Sequence, residues 1–578
     1  MYMKRYRYIT GVMAAAGLLA ASCTDFDDYN ESYTSGSSES KLTLWENIQS
    51  NGNLTQFTEL VKKSGFDREL GSSHYYTVWA PLDGTFDDDY SLYSQADAST
   101  LLYKFVKSHI ANYGHTASGV IDEKVHTLNE KSFAFAGNGT YTYDRSTLEG
   151  VNLPNINGVL HTINGAVEFL PNIYEYIFEA EGSDLIKEYF KKYQTETLNL
   201  SKSVEGAIVD GVQTYLDSVM DVSNSMTNSL RAYVAREDSN YTMILPSDKA
   251  YQDAYDRIKA YYKYGSKVAY QNLGSLDENV RSQKVDNEYL ADSLSRLVIA
   301  RSLFMNRNAA YNKWINGQFN PRWPVDTIQT TAGIYLTNGP QIQSLVTDTV
   351  RASNGSVWLV DTLAQYPWDN WCKPITIAAT RSETRAKILS ATGRTVRVTE
   401  NEIDKTKIGP DENGEYTGIT YLDLMVDGDR AKSQTFFYVP GVQSTTYNVY
   451  VVMVPANIEL GSTATPKQYK FNVDMFYSSA DGSKMETVTL CKDMLSDSTR
   501  VDTVMVGTVT FPTAYNSIPI EGSNKVYPYI KIASNRSAIS KTEWEYIDNR
   551  LRIASIIFRP VEYDEYRKSL LNKPEDDE

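Results

Sequence analysis

The sequence predicts an α+β protein in which two copies of a mixed helix-and-strand module precede an all-β sandwich. The first sign is a duplicated motif, since residues 76–83 are repeated 165 residues later at 241–248. A second motif, at 157–164, recurs 197 residues later at 354–361. Beyond Lys373 short β-rich runs separated by turn residues replace the helical pattern, which is typical of a jelly-roll or immunoglobulin-like sandwich.

Composition excludes several classes of protein. The chain has 578 residues, a net charge of -16, 42% hydrophobic residues and three cysteines. This length fits about three or four domains of ordinary size, and the apolar content is too high for a disordered chain. Phosphate contacts require clustered cations, so the acidic balance argues against a nucleic-acid binder. Three cysteines cannot build a disulfide scaffold.

The first residues predict export. A positive start is followed by an apolar stretch of about a dozen residues, so residues 1–22 are interpreted as a signal peptide. Residues 20–23 resemble a bacterial lipoprotein cleavage box, in which Cys23 would become lipidated; plain secretion is the alternative. The acidic residues Asp25, Asp27 and Asp28 resemble an export tag for lipoproteins of the outer membrane, or form an ordinary acidic linker. Residues 23–40 are predicted to form a flexible tether.

Each copy of the duplicated module follows the same local logic. An apolar strand ends at a proline, an aspartate is expected to cap the helix that follows, and Asn-Gly turns the chain into a second apolar strand. The residues that carry the pattern in the first copy are Thr77, Pro81, Asp83, His109, Asn157, Gly158 and His161. In the second copy they are Thr242, Pro246, Asp248, Asn354, Gly355 and Asp361.

These residues resemble the fasciclin domain, with its Thr-Val-Phe-Ala-Pro-Thr-Asp and Asn-Gly-Val-x-His-x-Ile-Asp motifs. The resemblance implies a β-wedge with helices and a role in adhesion, and it implies that His109 and His161 bond buried backbone. Ser108 stands where the family has the tyrosine of its Tyr-His pair, so animal-type ligands are not carried over. The second copy diverges, with Leu303 and Trp358 at the two histidine positions.

The resemblance places the first fasciclin-like domain at residues 41–171 and the second at 172–370. In the second domain, residues 204–235 are predicted to be a long helical insertion, either a specialised contact surface or a decoration of the core. The sandwich is assigned to residues 371–565, with strands 529–532 and 553–558 expected to pair in its core. Residues 566–578 are assigned to an acidic tail.

The search for catalytic motifs finds none. The sequence lacks a G-x-S-x-G elbow, a phosphate loop, an H-E-x-x-H pair and a C-x-x-C clamp, and no cofactor or metal is predicted. All five histidines fall in the first copy, which leaves a zinc site as an alternative to structural roles. Calcium binding at residues 87–89 or 411–414 is the alternative to solvated turns. Cys372 and Cys491 are expected to be buried free thiols.

Three interpretations of function remain open. The leading one is a non-catalytic lipoprotein, anchored in the outer membrane and facing the exterior, that binds protein or glycan. It would serve as an accessory component of a nutrient-uptake assembly, with an outer-membrane transporter and other surface lipoproteins as partners. A cell-adhesion protein acting through its fasciclin domains is the second. A glycan hydrolase that uses a carboxylate pair is the third, and it would require a deep cleft with converging acids.

Overall fold

The computed structural model describes residues 41–571 with internal gaps. The gaps are 202, 210, 239, 274–276, 308–326, 391–395, 404–418, 427–431, 456–465, 516–525, 536–538 and 541. The predictions for the signal peptide, Cys23, the three aspartates after it, the tether and residues 411–414 therefore lie outside the described residues. None of the helices that are described is both long and apolar enough to cross a bilayer.

The first unit, residues 41–171, is a seven-stranded sheet with helices on one face. Its helices are α1 Leu44–Ser50, α2 Thr55–Ser64, α3 Asp67–Leu70, α4 Asp87–Tyr93 and α5 Ala98–Lys104. Its strands are β1 Tyr76–Pro81, β2 Ile110–Asn112, β3 Val120–His126, β4 Ser132–Asn138, β5 Thr140–Tyr143, β6 Ser146–Asn155 and β7 Gly158–Ile163. The order in the sheet is β2-β1-β7-β6-β5-β4-β3. The central pair, β1 and β7, is parallel.

Both faces of this sheet are covered by apolar side chains. Because side chains alternate along a strand, Val78 of β1 packs into the core beneath the helices and Trp79 enters a second core on the opposite face. In the second core, Trp79 stacks on Tyr143 with ring centroids 4.2 Å apart. The apolar run around residue 78 is therefore buried on both sides, as its lack of polar alternation predicts.

The second unit, residues 172–370, repeats the centre of the first sheet. Its helices are α6 Ile173–Glu179, α7 Asp184–Lys191, α8 Ser225–Ser229, α9 Asp248–Lys259, α10 Asn287–Ala300 and α11 Gly339–Ser344. Its strands are β8 Gln194–Leu198, β9 Val204–Val209, β10 Val212–Asp217, β11 Met220–Asn224, β12 Tyr241–Pro246, β13 Lys267–Gln271, β14 Glu278–Ser282, β15 Phe304–Asn306, β16 Ile328–Gln329, β17 Tyr335–Leu336, β18 Val346–Ala352 and β19 Gly355–Val360. The sheet order β15-β12-β19-β18 matches β2-β1-β7-β6. Tyr241 lies opposite Gly355 just as Tyr76 lies opposite Gly158.

The predicted long helix at residues 204–235 is wrong. Strand β8 pairs with β11 and strand β9 with β10, so residues 194–224 form a two-stranded antiparallel ribbon, here called the β-ribbon. Only the short helix α8 follows it. The physical reason is local: valine and threonine favour strands, and Asp210-Gly211 is a hairpin turn sequence in which Gly211 takes φ +81°.

The C-terminal unit is a sandwich of two six-stranded sheets. Its strands are β20 Ile375–Ala378, β21 Arg385–Ser390, β22 Val396–Ile403, β23 Ile419–Val426, β24 Ser433–Tyr438, β25 Thr446–Met453, β26 Gln468–Ser478, β27 Met485–Leu495, β28 Asp502–Thr510, β29 Tyr529–Ser534, β30 Ile547–Asp548 and β31 Leu551–Pro560. One sheet runs β22-β23-β31-β25-β28 with β20 beside β31, and the other runs β21-β24-β29-β26-β27 with β30 beside β26.

Two details of the sandwich correct the sequence-based expectations. Strands β29 and β31 belong to different sheets, so the predicted pairing of residues 529–532 with 553–558 is wrong. Both strands are apolar because each lines the shared core from its own sheet. The chain also continues as helix α12, Val561–Leu571, past the point where the acidic tail was predicted to begin. Tyr566 of α12 stacks on Trp368, which holds this helix against the second unit.

The second unit and the sandwich share one hydrophobic core. A single cluster of buried side chains runs from Ile173 in α6 to Phe558 in β31. At the boundary, Tyr261 donates a hydrogen bond of 2.9 Å to Glu562. Cys372 lies 3.5 Å from the hydroxyl of Tyr447. The two units are therefore joined through apolar packing, which favours a fixed arrangement.

Candidate functional site

The asparagine of the first Asn-Gly motif fastens the start of the first unit to its sheet. Asn157 Oδ1 accepts a hydrogen bond of 2.8 Å from the amide of Leu44, the first residue of α1. Its Nδ2 donates to the carbonyls of Leu70 at 2.9 Å and Ser72 at 2.7 Å. The side chain is buried and satisfies three backbone groups, two of which belong to the fully buried Leu44 and Leu70.

Asn354 makes the same three contacts in the second unit. Its Oδ1 accepts from the amide of Ile173, the first residue of α6, at 2.9 Å. Its Nδ2 donates to the carbonyls of Val234 at 2.7 Å and Arg236 at 2.9 Å. The equivalence extends from sequence pattern to hydrogen bonding, so this asparagine has the same structural role in both copies.

The glycine of each motif is required by close approach of the neighbouring strand. Gly158 has φ +154°, and a Cβ there would lie 2.0 Å from the carbonyl oxygen of Tyr76. Gly355 has φ +146°, and a Cβ would lie 1.9 Å from the carbonyl oxygen of Tyr241. Neither space accommodates a side chain.

The motif aspartates cap a helix, but not the one that follows them. Asp83 accepts hydrogen bonds of 2.9 Å from the amides of Thr55 and Gln56 at the start of α2, which precedes it in the chain. Asp248 accepts one of 2.8 Å from Leu185 at the start of α7. The prediction that each caps the next helix is therefore wrong. The helix after Asp248 is capped by Ser247 instead.

The remaining strand positions of the motifs are structural as well. Thr77 Oγ1 donates to the carbonyl of Tyr113 at 2.7 Å. Pro81 and Pro246 are the last residues of β1 and β12. Asp361 is exposed immediately after β19.

The two motif histidines are buried and bonded to backbone. His109 Nδ1 lies 2.8 Å from the carbonyl of Phe105, and Nε2 accepts from the amide of Val167 at 3.1 Å. His161 Nε2 lies 2.9 Å from the carbonyl of His115, and Nδ1 accepts from Asn152 at 3.2 Å. Burial lowers the pKa of both rings to about 4, so both are neutral at pH 7.

In the second unit, the histidine positions hold apolar residues. Leu303 is fully buried, and its carbonyl accepts from Ile244 at 2.8 Å. At the other position, the guanidinium of Arg307 lies over the ring of Trp358 at 5.5 Å and Arg307 also donates to Thr242. Burial lowers the pKa of Arg307, although the group stays charged. A cation over an indole thus replaces the neutral imidazole of the first unit.

The other histidines do not converge on one point. His74 contacts Glu69, His115 lies 2.8 Å from Glu123, and His126 lies 2.8 Å from Ser132. Within the described ranges, no group of three His, Cys, Asp or Glu side chains is arranged to hold a metal ion. Cys372 and Cys491 are both buried and free, and burial raises the pKa of Cys372 to about 12 and that of Cys491 to about 11.

A charged network joins the first unit to the second. Lys131, in the turn between β3 and β4, is 2% exposed; its Nζ lies 2.5 Å from Glu175 and 2.8 Å from Glu237. Ser353 donates to Glu237 at 3.0 Å. The ammonium also lies 5.2 Å from the ring centre of Phe169. This junction is polar, in contrast to the apolar one between the second unit and the sandwich.

The β-ribbon is the most prominent unpartnered surface. Of the twenty-two large hydrophobic side chains that are exposed among the described residues, six belong to these thirty-one residues. They are Leu200, Ile208, Val209, Val212, Met220 and Val222. Three of them flank the turn at Gly211: Ile208 is 69% exposed, Val209 54% and Val212 66%. Both sheets of the ribbon are two-stranded, so each strand keeps a free edge.

The sequence indicated a specialised contact surface at residues 204–235 as one of two alternatives, but as a helix rather than a ribbon, and it gave no indication of the Lys131 network. The hairpin turn at Asp210-Gly211, between two runs rich in valine and threonine, was the available signal for the ribbon. No sequence signal exists for Lys131, because its partners are 44 and 106 residues away.

Comparisons with known proteins bear on these units. No curated protein matches the chain. Among solved structures, a FAS1 domain pair from the insect cell adhesion molecule fasciclin I matches with 13% identity and a TM-score of 0.19, over 55% of this chain and 99% of the other. A Paenibacillus xanthan lyase matches with 11% identity and a TM-score of 0.16, over 37% and 16%. Carbohydrate-binding modules of the β-sandwich superfamily match with 8% identity and a TM-score of 0.15, over 40% and 70%.

The family comparison identifies one part of the chain. Residues 52–168 match the Fasciclin domain family, and this range contains both motifs of the first unit. The sheet that pairs Tyr76 with Gly158 and the buried Asn157 lie within it. Residues 52–168 are therefore a fasciclin domain.

Proposed function

We propose that the protein is a non-catalytic binding protein displayed outside the cell, with the β-ribbon of its second unit as the main contact surface. The exposed apolar tip of the ribbon is the observation that carries this proposal. A fasciclin domain supports adhesion or binding in general. The second unit, which repeats the same Asn-Gly closure, is on this proposal a divergent second fasciclin domain.

The composition of the ribbon indicates what it contacts. Valine and isoleucine side chains more than half exposed are costly in water and gain free energy when a partner covers them. The free edges of β9 and β10 can accept a strand from a partner through main-chain hydrogen bonds. The sequence of the ribbon holds five acidic residues and one lysine, so a partner with a basic contact face fits it best. We therefore assign the ribbon to a protein partner.

The sequence also supports a cellular location for this contact. On the proposal, Cys23 carries a lipid anchor in the outer membrane and residues 23–40 hold the body away from the surface. The partner is then an outer-membrane transporter or another surface lipoprotein, and the protein is an accessory component that helps capture glycan or peptide.

The motif residues support binding by shape rather than reaction. The side chains of Asn157, Asp83 and His109, and those of Asn354 and Asp248 in the second unit, all bond backbone groups of their own unit. They hold the two sheets in shape, and the exposed insertions are left to make contacts.

The experiment compares two threonine variants. Val209 and Val212 are direct cross-strand neighbours, so Val209→Thr/Val212→Thr makes the tip polar while keeping strand preference. Val280→Thr is the matched control, since Val280 is 45% exposed on another hairpin. After extraction from native membranes, the double variant should lose its copurifying partner and the control should keep it. Equal recovery of the partner with both variants, or recovery of the unaltered protein alone, would contradict the proposal.

Surface display has its own test. Protease added to intact cells should cleave the protein, and the exposed ribbon should be an early site of cutting. Cleavage only after lysis would exclude display.

A further inference from the structure

A cleft in the second unit is lined by residues that do not belong to the β-ribbon. Its volume is about 700 Å³, within the range of small-molecule sites. Three segments line it: the end of α8, the end of α10 and the turn between β16 and β17. The lining residues that matter here are Leu230, Arg231, Leu297, Arg301, Gln329 and Thr331.

Two arginines face this cleft without an acidic partner. Neither Arg231 nor Arg301 forms an ion pair with a carboxylate of the described residues, although the chain carries a net charge of -16. Elsewhere in the chain, Arg296 is paired with Asp292 at 2.9 Å and the buried Arg552 with Asp423 at 3.0 Å. Two arginines that line one cleft without a carboxylate partner among the described residues favour an anion there.

The helix dipole can stabilise the unpaired charge of only one of these two arginines. Arg301 is the C-cap of α10, where a cation is stabilised by the helix dipole. Arg231 lies on another wall of the cleft and follows the very short helix α8, so the same explanation does not reach it.

The backbone on both sides of the cleft is held in unusual conformations. Arg231 has φ +57°, a left-handed conformation that a residue with a long side chain rarely adopts. A 3.0 Å bond from its amide to Asn228 and a 2.9 Å bond from Ala232 to Thr227 hold it there. Across the cleft, Gly333 has φ +76° in a turn closed by Thr330 and Ile334. Both are left-handed conformations at turns of the chain, the first at the end of a helix and the second at a glycine, and they fix the course of the backbone around the cleft.

The other residues that line the cleft indicate which chemical groups the ligand carries besides its negative charge. Leu230 and Leu297 offer apolar contact, and Thr331 and Gln329 offer hydroxyl and amide groups. Gln329 is itself oriented by a 2.9 Å bond to Tyr335. We propose that this cleft binds a small hydroxylated carboxylic acid, with Arg231 and Arg301 on the carboxylate and Gln329 and Thr331 on its hydroxyl groups.

Calorimetric titration of the purified full chain tests this, with glucuronate as the probe and glucose as its uncharged counterpart. Glucuronate should bind at least tenfold more tightly than glucose, and more tightly than inorganic phosphate, which has charge but no hydroxylated carbon body. Equal affinity for glucuronate and glucose, equal affinity for phosphate, or no binding of glucuronate would overturn the proposal.

The variants test the two arginines. Arg301→Gln and Arg231→Asn should each weaken glucuronate binding about tenfold or more; asparagine is chosen because it tolerates left-handed backbone. Arg351→Gln, an arginine with a 61% exposed side chain elsewhere in the same unit, should leave affinity unchanged. If Arg301→Gln does not fold, the exposed Arg231 carries the test alone. Unchanged affinity in Arg231→Asn would overturn the assignment.

Discussion

The ammonium of Lys131 in the first unit lies 2.8 Å from the carboxylate of Glu237 in the second, with both side chains largely withdrawn from water. The pair spans 106 residues of sequence and sits at the boundary between the two units. A buried charge that loses its partner is costly, so this contact contributes to holding the two units together.

Lys131→Ala should separate the unfolding of the first unit from that of the rest of the chain. Removing the ammonium leaves the buried Glu237 without its counter-ion, with only hydrogen bonds from Asn172 and Ser353, at a cost of about 3–5 kcal/mol. Calorimetry should show the first transition moving to lower temperature. Lys249→Ala, which removes an exposed partner of Asp253, should leave the profile unchanged. An unchanged profile in Lys131→Ala as well would show that the network contributes nothing.

Asn157→Ala should destabilise the first unit by about 3 kcal/mol. The change leaves the amide of Leu44 and the carbonyls of Leu70 and Ser72 without their partner, and these groups are shielded from water. Chemical denaturation followed by tryptophan fluorescence measures the loss. Asn53→Ala, at an exposed asparagine, should change stability by less than about 0.5 kcal/mol. Comparable effects at the two positions would contradict this account of Asn157.

Gly158→Ala should be more damaging than its size suggests. The new methyl would overlap the carbonyl oxygen of Tyr76, so β1 and β7 must separate at the centre of the sheet, at a cost of at least about 3 kcal/mol. Gly52→Ala is the matched control, because nothing lies within 4 Å of a Cβ there. Equal yield and equal melting temperature for the two variants would refute the close approach.

Stability of the first unit should fall as pH falls between about 6.5 and 4. Burial lowers the pKa of His109 and His161 to about 4, whereas both would titrate near 6.5 in the unfolded chain. In that window the unfolded state binds more protons, which favours unfolding by about 1.4 kcal/mol per pH unit for each ring. Melting temperature measured against pH should show this slope, and His161→Gln should reduce it. A flat profile in the unaltered protein would mean that the rings are not shielded.

Counting the reactive thiols should distinguish a lipidated Cys23 from plain secretion with a free Cys23. Burial raises the pKa of Cys372 and Cys491 to about 12 and about 11, so neither should react with iodoacetamide at pH 8 in the native protein. A lipidated Cys23 has no free thiol, which predicts no reactive thiol before denaturation and two after it. Plain secretion with Cys23 retained predicts one and then three. Mass spectrometry of the alkylated protein gives the count.

The sequence predicted those strands that local sequence patterns determine. The motifs at Tyr76 and Asn157 repeat, so the sequence predicted the two central strands of each unit, although not that they pair with each other in parallel. The strands predicted in the sandwich at residues 529–532 and 553–558 lie within β29 and β31. The edge strand β22, Val396–Ile403, was missed because polar residues interrupt its alternation.

Features that depend on distant partners were not predicted. The role of Asp83 was misassigned because the helix it caps begins 28 residues earlier, and local capping rules look only forward. The β-ribbon was read as helix because its apolar residues also recur at helical spacing. The cleft at Arg231 depends on three segments that meet only in the folded chain.

The contrast between the polar boundary at Lys131 and the continuous apolar core behind Trp371 has a mechanical consequence. If the amino terminus is fixed to a membrane and the ribbon to a partner, any pull between them passes through the fasciclin domain and then across the lysine network. Charged contacts of this kind break over short displacements. The second unit and the sandwich share one core, so they must unfold together. The fasciclin domain would therefore unfold first, and the second unit that carries the β-ribbon would stay folded.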